Sequence, residues 1–209
     1  MKLTIFGATG RTGIPLVQQA LAAGHAVTAF VRTPEKLPIT HDQLTVVQGD
    51  ATDPAAVERA VAGADAVLSA LGQTKGAPKD MQTVATRNIV AAMQQHGVRR
   101  LVSLTGAGVD APQDQPKLIN HLIKFALKTL SGAVLQDAEG HAEVIRNSDL
   151  DWVIVRGPML TEGPYTGQYR VGWVGVNTSA RIARADVADF MLKQLTENTY
   201  LQQAPMISD

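Results

Sequence analysis

Three glycines at a spacing of three, Gly7, Gly10 and Gly13 in the stretch Gly7-Ala8-Thr9-Gly10-Arg11-Thr12-Gly13, directly follow the apolar run Leu3-Thr4-Ile5-Phe6. That pattern lets a strand turn sharply into a helix, lets backbone approach a phosphate closely, and lets helix and strand pack tightly. The N–H groups left unpaired at the helix start then face an anion. The stretch therefore reads as a grip on the pyrophosphate of a dinucleotide, with Gly7, Thr9, Gly10, Arg11, Thr12 and Gly13 as contacts. The plainer alternative is a glycine-rich strand–helix turn with no ligand.

Further candidates fall where the strands of such a fold end. After Val31 the chain reads Arg32-Thr33-Pro34-Glu35-Lys36, the place at which a dinucleotide fold presents residues to the adenosine ribose. A carboxylate following the strand would accept a bond from the 2′-hydroxyl of NAD, whereas Arg32, helped by Thr33 or Lys36, suits the 2′-phosphate of NADP. NADP(H) is expected in preference to NAD(H), the alternative being that Arg32 and Lys36 are solvated loop charges. Gly49-Asp50-Ala51 puts Asp50 and Ala51 beside the adenine edge, where the carboxylate either accepts from the base amino group or binds turn amides. Leu71-Gly72 leaves room for backbone contact with the cofactor. Thr105-Gly106-Ala107-Gly108 closes a strand near the expected nicotinamide, making Thr105 the best-placed hydroxyl for catalysis and Gly106 a contact. Ser103 should point the same way from a deeper position, where a structural bond is the stronger reading. Thr161 and Tyr165, in the irregular stretch from Gly157 to Gly167, are candidate ligand contacts. His141 and Glu143 lack metal-ligand spacing on a helix, so no metal is expected.

Strands alternating with helices must position these residues. Apolar and β-branched runs predict strands over 2–6, 25–31, 44–48, 64–70, 99–105 and 151–156. Ile14, Val17 and Leu21 share one face of a helix from Thr12 to Ala23, Asp53-Pro54 opens a second, and a third runs from Met81 to His96 with Gly97 to stop it. Pro116 to Leu130 departs from the rhythm, because Leu118, Ile119, Leu122, Ile123, Ala126, Leu127 and Leu130 form an apolar stripe with Lys117, Lys124 and Lys128 off it. Core packing, a dimer face and a substrate lid are its three readings. A separate helix is expected from about Ala133 to Asn147. Residues 157–184 read as a substrate-side loop and strand insertion, followed by a helix over 185–195 and a closing strand over 204–208. The fold class is α/β, a Rossmann-type doubly wound parallel sheet with helices on both faces and small carboxy-terminal additions.

Composition narrows the partners. At 209 residues with 45% hydrophobic content, one NAD(P)-binding domain over 1–209 is expected. Lys plus Arg equals Asp plus Glu at 19 each, so no global field draws nucleic acid or an anionic membrane, and any basic site must be local. There is no Cys, which excludes disulfides and thiolate chemistry. A first strand at Lys2 leaves no room for a signal peptide, and no apolar run reaches the roughly 18 residues of a membrane span. A soluble cytoplasmic protein is expected, acting on a small molecule, as a monomer or as a homodimer joined through the 116–130 helix.

Together with Val31-Arg32, Gly49-Asp50, Arg156-Gly157-Pro158 and Ala183-Arg184-Ala185-Asp186-Val187-Ala188-Asp189-Phe190, the glycine stretch gives a pattern that resembles the atypical short-chain dehydrogenase/reductase group. More narrowly, it is similar to the NAD(P)-binding proteins that include NmrA-like regulators and biliverdin-IXβ/flavin reductase. The resemblance implies a parallel sheet of order 3-2-1-4-5-6 and NADP held by the glycine loop, Arg32 and the strand-end loops. Its chemistry transfers less completely. Short-chain dehydrogenases place a Tyr-x-x-x-Lys pair on the helix before the sixth strand, and none of Tyr165, Tyr169 and Tyr200 is followed four residues later by Lys. The serine that the biliverdin/flavin reductase carries after its fifth strand aligns with Gly106, and the histidine of its sixth-strand loop with Met159, which makes Met159 a substrate-side candidate.

Three functions fit. The first is an NADPH-dependent oxidoreductase passing hydride to a conjugated acceptor of flavin, quinone or tetrapyrrole type, which can take its proton from solvent. The second is a non-catalytic NADP(H)-binding redox sensor of NmrA-like type. The third, a nucleotide-sugar epimerase or dehydratase, ranks last because it needs the missing tyrosine–lysine pair.

Overall fold

Alternation along β1 (Lys2–Phe6) sends Leu3 and Ile5 to one face and Phe6 to the other, and all three are fully buried. A strand buried on both faces belongs inside a parallel sheet covered by helices. The computed structural model describes residues 1–209 apart from Lys75 and the side chain of Leu127, so that member of the expected apolar stripe lies outside the described residues. Six parallel strands, β1, β2 (Ala26–Val31), β3 (Leu44–Gln48), β4 (Ala66–Ser69), β5 (Arg100–Gly106) and β6 (Asp151–Gly157), lie in the order β3-β2-β1-β4-β5-β6. This is the expected doubly wound order.

The carboxy-terminal additions extend the same sheet. β10 (Met206–Ser208) joins β6 in parallel, and β8 (Arg170–Gly172) pairs antiparallel with β10 at the edge. β7 (Met159–Thr161) and β9 (Arg181–Ala183) form a small parallel pair over the carboxyl end of β6. One face of the main sheet packs on α1 (Gly13–Ala22) and α5 (Arg184–Lys193), with Leu16, Val17, Val187 and Phe190 against Ile5, Leu68 and Val102. The other packs on α2 (Pro54–Val61), α3 (Met81–His96) and the second half of α4 (Leu118–Arg146), with Val57, Ile89, Met93 and Ile145 against Phe6, Val67 and Ile154.

Local chemistry sets the helix ends. The Asp53 carboxylate accepts from the Ala55 N–H at 3.0 Å with Pro54 at the first helical position, and Gly97 stops α3 at φ 68°. The two helices expected over 116–130 and 133–147 are joined in α4, broken at Ser131, whose φ of −141° and ψ of 35° are not helical. The core-packing reading of the 116–130 stripe does not hold. Leu118, Phe125 and Leu130 are exposed, and it is the polar side, through Lys124 to Asp110 and Glu139, that faces the protein. Among the described residues no single helix is long and apolar enough to cross a membrane.

Candidate functional site

The glycine turn is as tight as its spacing implies. Gly7 adopts φ +75°, and a Cβ there would lie 2.6 Å from the Ala70 carbonyl oxygen at the end of β4. A Cβ on Gly13 would lie 2.0 Å from the Gly7 oxygen, so α1 can approach β1 only through a glycine. The Gly10 N–H donates to the Gly7 oxygen at 2.9 Å and closes the turn. Thr12, at the amino end of α1, makes no side-chain capping bond; the Ile14 N–H already donates to the Gly10 oxygen at 2.9 Å and Pro15 has none, so among the described residues it is the N–H groups of Arg11, Thr12 and Gly13 that have no backbone acceptor and are open to an anion. Thr9 is half-buried beside them. A turn this tight, with these amides at the helix start, fits a pyrophosphate.

At the far end of the glycine turn, Arg32, Thr33 and Lys36 are exposed beyond β2. Among the described residues neither cation has a carboxylate within ion-pair distance, and the Arg32 carbonyl accepts from Gln48 Nε2 at 3.1 Å. Asp50 makes the turn bonds of the second of its two expected readings. Its Oδ1 accepts from the Thr52 N–H at 2.8 Å and the Thr52 hydroxyl at 2.7 Å, so the carboxylate is engaged in its own turn. Those bonds, aided by Arg32, hold its pKa below the usual carboxylate value. Ala51 is buried beneath it, its carbonyl accepting from Asn88 Nδ2 at 2.9 Å.

Between the glycine turn and α4 lies a cleft of about 460 Å³ at the carboxyl ends of β4, β5 and β6. Leu71, Leu104, Val109, Val134, Leu135, Ala138 and Leu160 supply its apolar wall, and Gly10, Arg11, Thr12, Gly72 and Gly106 its phosphate-side rim. Thr105 faces it as expected; the residue is 7% exposed and its hydroxyl has no partner among the described residues. A buried polar atom without a partner at a cleft wall is a ligand contact in waiting. The Gln73 Oε1, also at the wall, likewise has no partner among the described residues. Arg184 opens α5 and reaches the cleft with its guanidinium held by the Leu160 carbonyl at 2.9 Å and by Glu162 at 2.7 Å, while Glu162 lies 3.4 Å from Arg11.

The proposed substrate-side residues are placed differently. Pro158 and Leu160 line the cleft, whereas Met159 between them is 64% exposed and does not. Strand alternation along β7 is the reason. Tyr165 is also outside the lining, its hydroxyl 3.4 Å from Asp189 on α5, and Thr161 bonds the Ile182 carbonyl at 3.3 Å. A tyrosine and a lysine do meet, since Lys193 Nζ lies 3.0 Å from the Tyr169 hydroxyl and 2.7 Å from Asp189. Lys193 sits on α5 and Tyr169 just before the edge strand β8, and neither lines the cleft. Burial and the bond to Asp189 push the Tyr169 phenol up rather than down, which is opposite to what a catalytic acid needs.

Two buried clusters brace the cleft; of their members the sequence reading gives Ser103 a structural bond without naming its partners. Ser103 stands 3.3 Å from His141 Nε2, and His141 Nδ1 lies 2.7 Å from the Thr86 hydroxyl, tying β5, α3 and α4 together. One turn before His141, Asp137 accepts from the Gln82 and Thr83 N–H groups at 2.9 Å each. Arg156, wholly buried on β6, makes a two-pronged pair with Asp114 at 2.7 Å and 2.7 Å and donates to the Val109 and Ala204 carbonyls. It thereby fixes the loop after β5 that forms one lip of the cleft. The signal was present: an arginine at the end of the apolar run Trp152–Val155 demands a buried partner.

The comparisons with known proteins agree with this geometry. A family described as NAD(P)H-binding matches residues 7–198. A 3-diazoavenalumate denitrifying reductase of a Streptomyces species is 31% identical over 194 residues, covering 86% of this chain and 62% of that protein. The chain spans less than two thirds of the length of the first curated relatives, from 31% to 62%. A short-chain dehydrogenase/reductase of Veillonella parvula, solved in complex with NADP, superposes with a TM-score of 0.83 at 22% identity, over 100% of this chain and 94% of that one. ChuY, an anaerobillin reductase of Escherichia coli O157:H7, superposes at 0.79 and 22% identity, over 100% and 97% of the two chains. At these identities the likeness to both structures is one of fold. With residues 7–198 matched and the glycine turn in place on a Rossmann-type sheet, the chain belongs to the family described as NAD(P)H-binding.

Proposed function

We propose that the protein is an NADPH-dependent reductase that passes hydride to a small conjugated acceptor of flavin, quinone or tetrapyrrole type. The observation that carries this reading is the composition of the cleft wall. Among the described residues its ionisable side chains are Arg11 and Arg184, and the positions that α4 presents to it are Ser131, Val134, Leu135 and Ala138. No tyrosine, lysine, histidine or carboxylate among them is poised to donate a proton, which suits an acceptor that takes its proton from water. The bound nicotinamide supplies the hydride. The glycine turn and the start of α1 hold the pyrophosphate, the apolar wall holds the acceptor flat and excludes water, and the Thr105 hydroxyl orients the nicotinamide amide or an acceptor oxygen. The reductase names of the Streptomyces relative and of ChuY support the same class.

The test is NADPH oxidation against a panel of flavins, quinones, linear tetrapyrroles and enones. Turnover with a shallow pH profile is expected. NADPH binding without turnover of any acceptor would overturn the reading in favour of a redox-sensing regulator. Thr105→Val, which keeps the shape and removes the unpartnered hydroxyl, is expected to lower kcat/KM about tenfold while leaving thermal stability unchanged or slightly raised. A fall in stability with unchanged kcat/KM would make the hydroxyl structural.

The preference for NADPH rests on Arg32 and Lys36, which stand free of carboxylates beyond β2. Arg32→Ala is expected to weaken NADPH binding by about 1–3 kcal/mol with little change for NADH, as read by fluorescence titration of each. Equal losses for the two cofactors would remove the 2′-phosphate from this site.

A further inference from the structure

Arg184 brings more hydrogen-bonding capacity to the cleft than the protein uses. The residue opens α5, lines the cleft and is nine-tenths buried. Its Nη1 donates to the Leu160 carbonyl at 2.9 Å and to Glu162 Oε1 at 2.7 Å, which spends both hydrogens of that nitrogen. Nε and Nη2 have no acceptor among the described residues, and neither atom is enclosed by protein. Those two nitrogens form the flat edge of the guanidinium that takes a carboxylate or a phosphate in two parallel bonds. An arginine side chain stays charged, so an unpaired edge on a nearly buried cation is unfavourable until an anion meets it.

Glu162 does not satisfy that edge. Its carboxylate is 63% exposed, bonds Arg184 through Nη1 alone, and also lies 3.4 Å from Arg11 Nη1. Two arginines thus share one acid at the rim, and one positive charge is left over beside the apolar wall of Leu104, Val109, Val134 and Leu135. An oxyanion reaches this place from one of two sources, the pyrophosphate of the cofactor or an acid group on the acceptor. Position favours the acceptor. Arg184 is fixed through Leu160 on β7, over the carboxyl end of β6, and β6 stands three strands from β1, whose end carries the glycine turn. At the spacing of neighbouring strands that separation is roughly 14 Å. The pyrophosphate already has the open N–H groups of Arg11, Thr12 and Gly13 at its own end. We propose that Arg184 is the anchor for an acidic substrate: its Nε–Nη2 edge binds a carboxylate or phosphate on the acceptor, whose conjugated body lies along the apolar wall toward Thr105. The proposal narrows the reductase reading and rests on it for the ligand's role as acceptor, whereas the anion site does not. It selects acid-bearing acceptors over uncharged ones of the same chromophore.

Binding is measured by fluorescence quenching with NADP+ at saturation, which fills the pyrophosphate site and prevents turnover. Two matched pairs of probes are used, FMN against riboflavin and biliverdin against its dimethyl ester. In at least one pair the acid-bearing member should bind about tenfold tighter, by a margin that shrinks with added salt. Arg184→Met should abolish that margin and leave the uncharged member's affinity unchanged. Glu162→Gln, at an exposed position, removes the competing carboxylate and should widen the margin several-fold, a rise that a purely structural Arg184 does not produce. No margin in either pair for the wild type would overturn the proposal, as would a margin that survives Arg184→Met. Should Arg184→Met not fold, a margin unmoved by Glu162→Gln would overturn it equally. Loss of NADP+ affinity in Arg184→Met, with no margin between the probes, would assign the anion to the cofactor and remove the substrate anchor. Selective binding of the acid-bearing probes without NADPH oxidation by any acceptor would uphold the anion site and remove the reductase reading.

Discussion

Replacing Arg156 with methionine is expected to cost about 3–5 kcal/mol of unfolding free energy, measured by urea denaturation at neutral pH. The arginine is wholly buried, and its removal leaves Asp114 charged, enclosed and short of two bonds at 2.7 Å. Burial alone would raise the Asp114 pKa. The Arg156 bonds and the N–H groups of Ala111 and Val174 outweigh it and hold the carboxyl below its ordinary value. Because that pKa is depressed in the folded state, its contribution is complete above the unfolded value and is lost as pH falls through the folded one. Replacing both partners, Arg156→Met with Asp114→Leu, should recover much of the loss, since no uncompensated charge remains. Equal destabilisation by the single and double replacements would mean that packing of the arginine stem carries the effect. Function should follow stability here. Asp114 also accepts from the Val174 N–H at 3.0 Å, so one ion pair ties the β5 loop, β6 and the 173–176 turn together, and NADPH affinity should fall in the single variant as Gly106 and Val109 lose their fixed position.

The sequence made the cofactor half of the site legible because its requirements are steric and local. Gly7 and Gly13 are needed where a Cβ would strike backbone at 2.6 Å and 2.0 Å, and such needs appear as glycine at fixed spacing whatever the rest of the chain does. The βα rhythm pointed to a parallel sheet and the family resemblance supplied its strand order, while Thr105 followed from strand-end position. The substrate side was less legible. Whether Met159 or Leu160 faces the cleft depends on the register of β7 against β9, a pairing between segments 22 residues apart that no local pattern specifies. Tyr165 was drawn to the cleft by its place in a loop, yet Asp189, on a helix later in the chain, lies beside its hydroxyl. The apolar stripe of 116–130 has the period of a buried helix, and periodicity cannot say which way the stripe points. The tie of Lys124 to Asp110 and Glu139 decides that, and it is visible only in three dimensions.

The second large effect is a loss of stability in mild acid traced to His141. Enclosed between α3, α4 and β5, its ring has the hydroxyls of Thr86 and Ser103 for partners, and burial drives its pKa down from 6.5 to about 4. Asp137 opposes that shift, and the Arg146 cation adds to it. Both partners are hydroxyls, able to donate or accept, so either neutral tautomer is served and the fold selects the uncharged ring. The sign follows. Between the two pKa values the unfolded chain binds a proton that the folded chain refuses, so stability falls as pH drops below 6.5, by about 1.4 kcal/mol per unit, and stops falling near 4 after a loss of about 3 kcal/mol. Asp50 and Asp114, whose pKa values are held low, lose their contributions only below that window. His141→Gln, which keeps a polar side chain and cannot titrate, should be less stable than the wild type at pH 7 yet nearly flat from pH 6.5 to 4, so that the two denaturation curves converge or cross on acidification. Parallel curves would place the acid sensitivity on another group. Ser103 is two residues from Thr105 on the same strand face, so charging His141 also loosens the wall from which the Thr105 hydroxyl is presented, and NADPH affinity should decline over the same pH interval in the wild type and not in the variant.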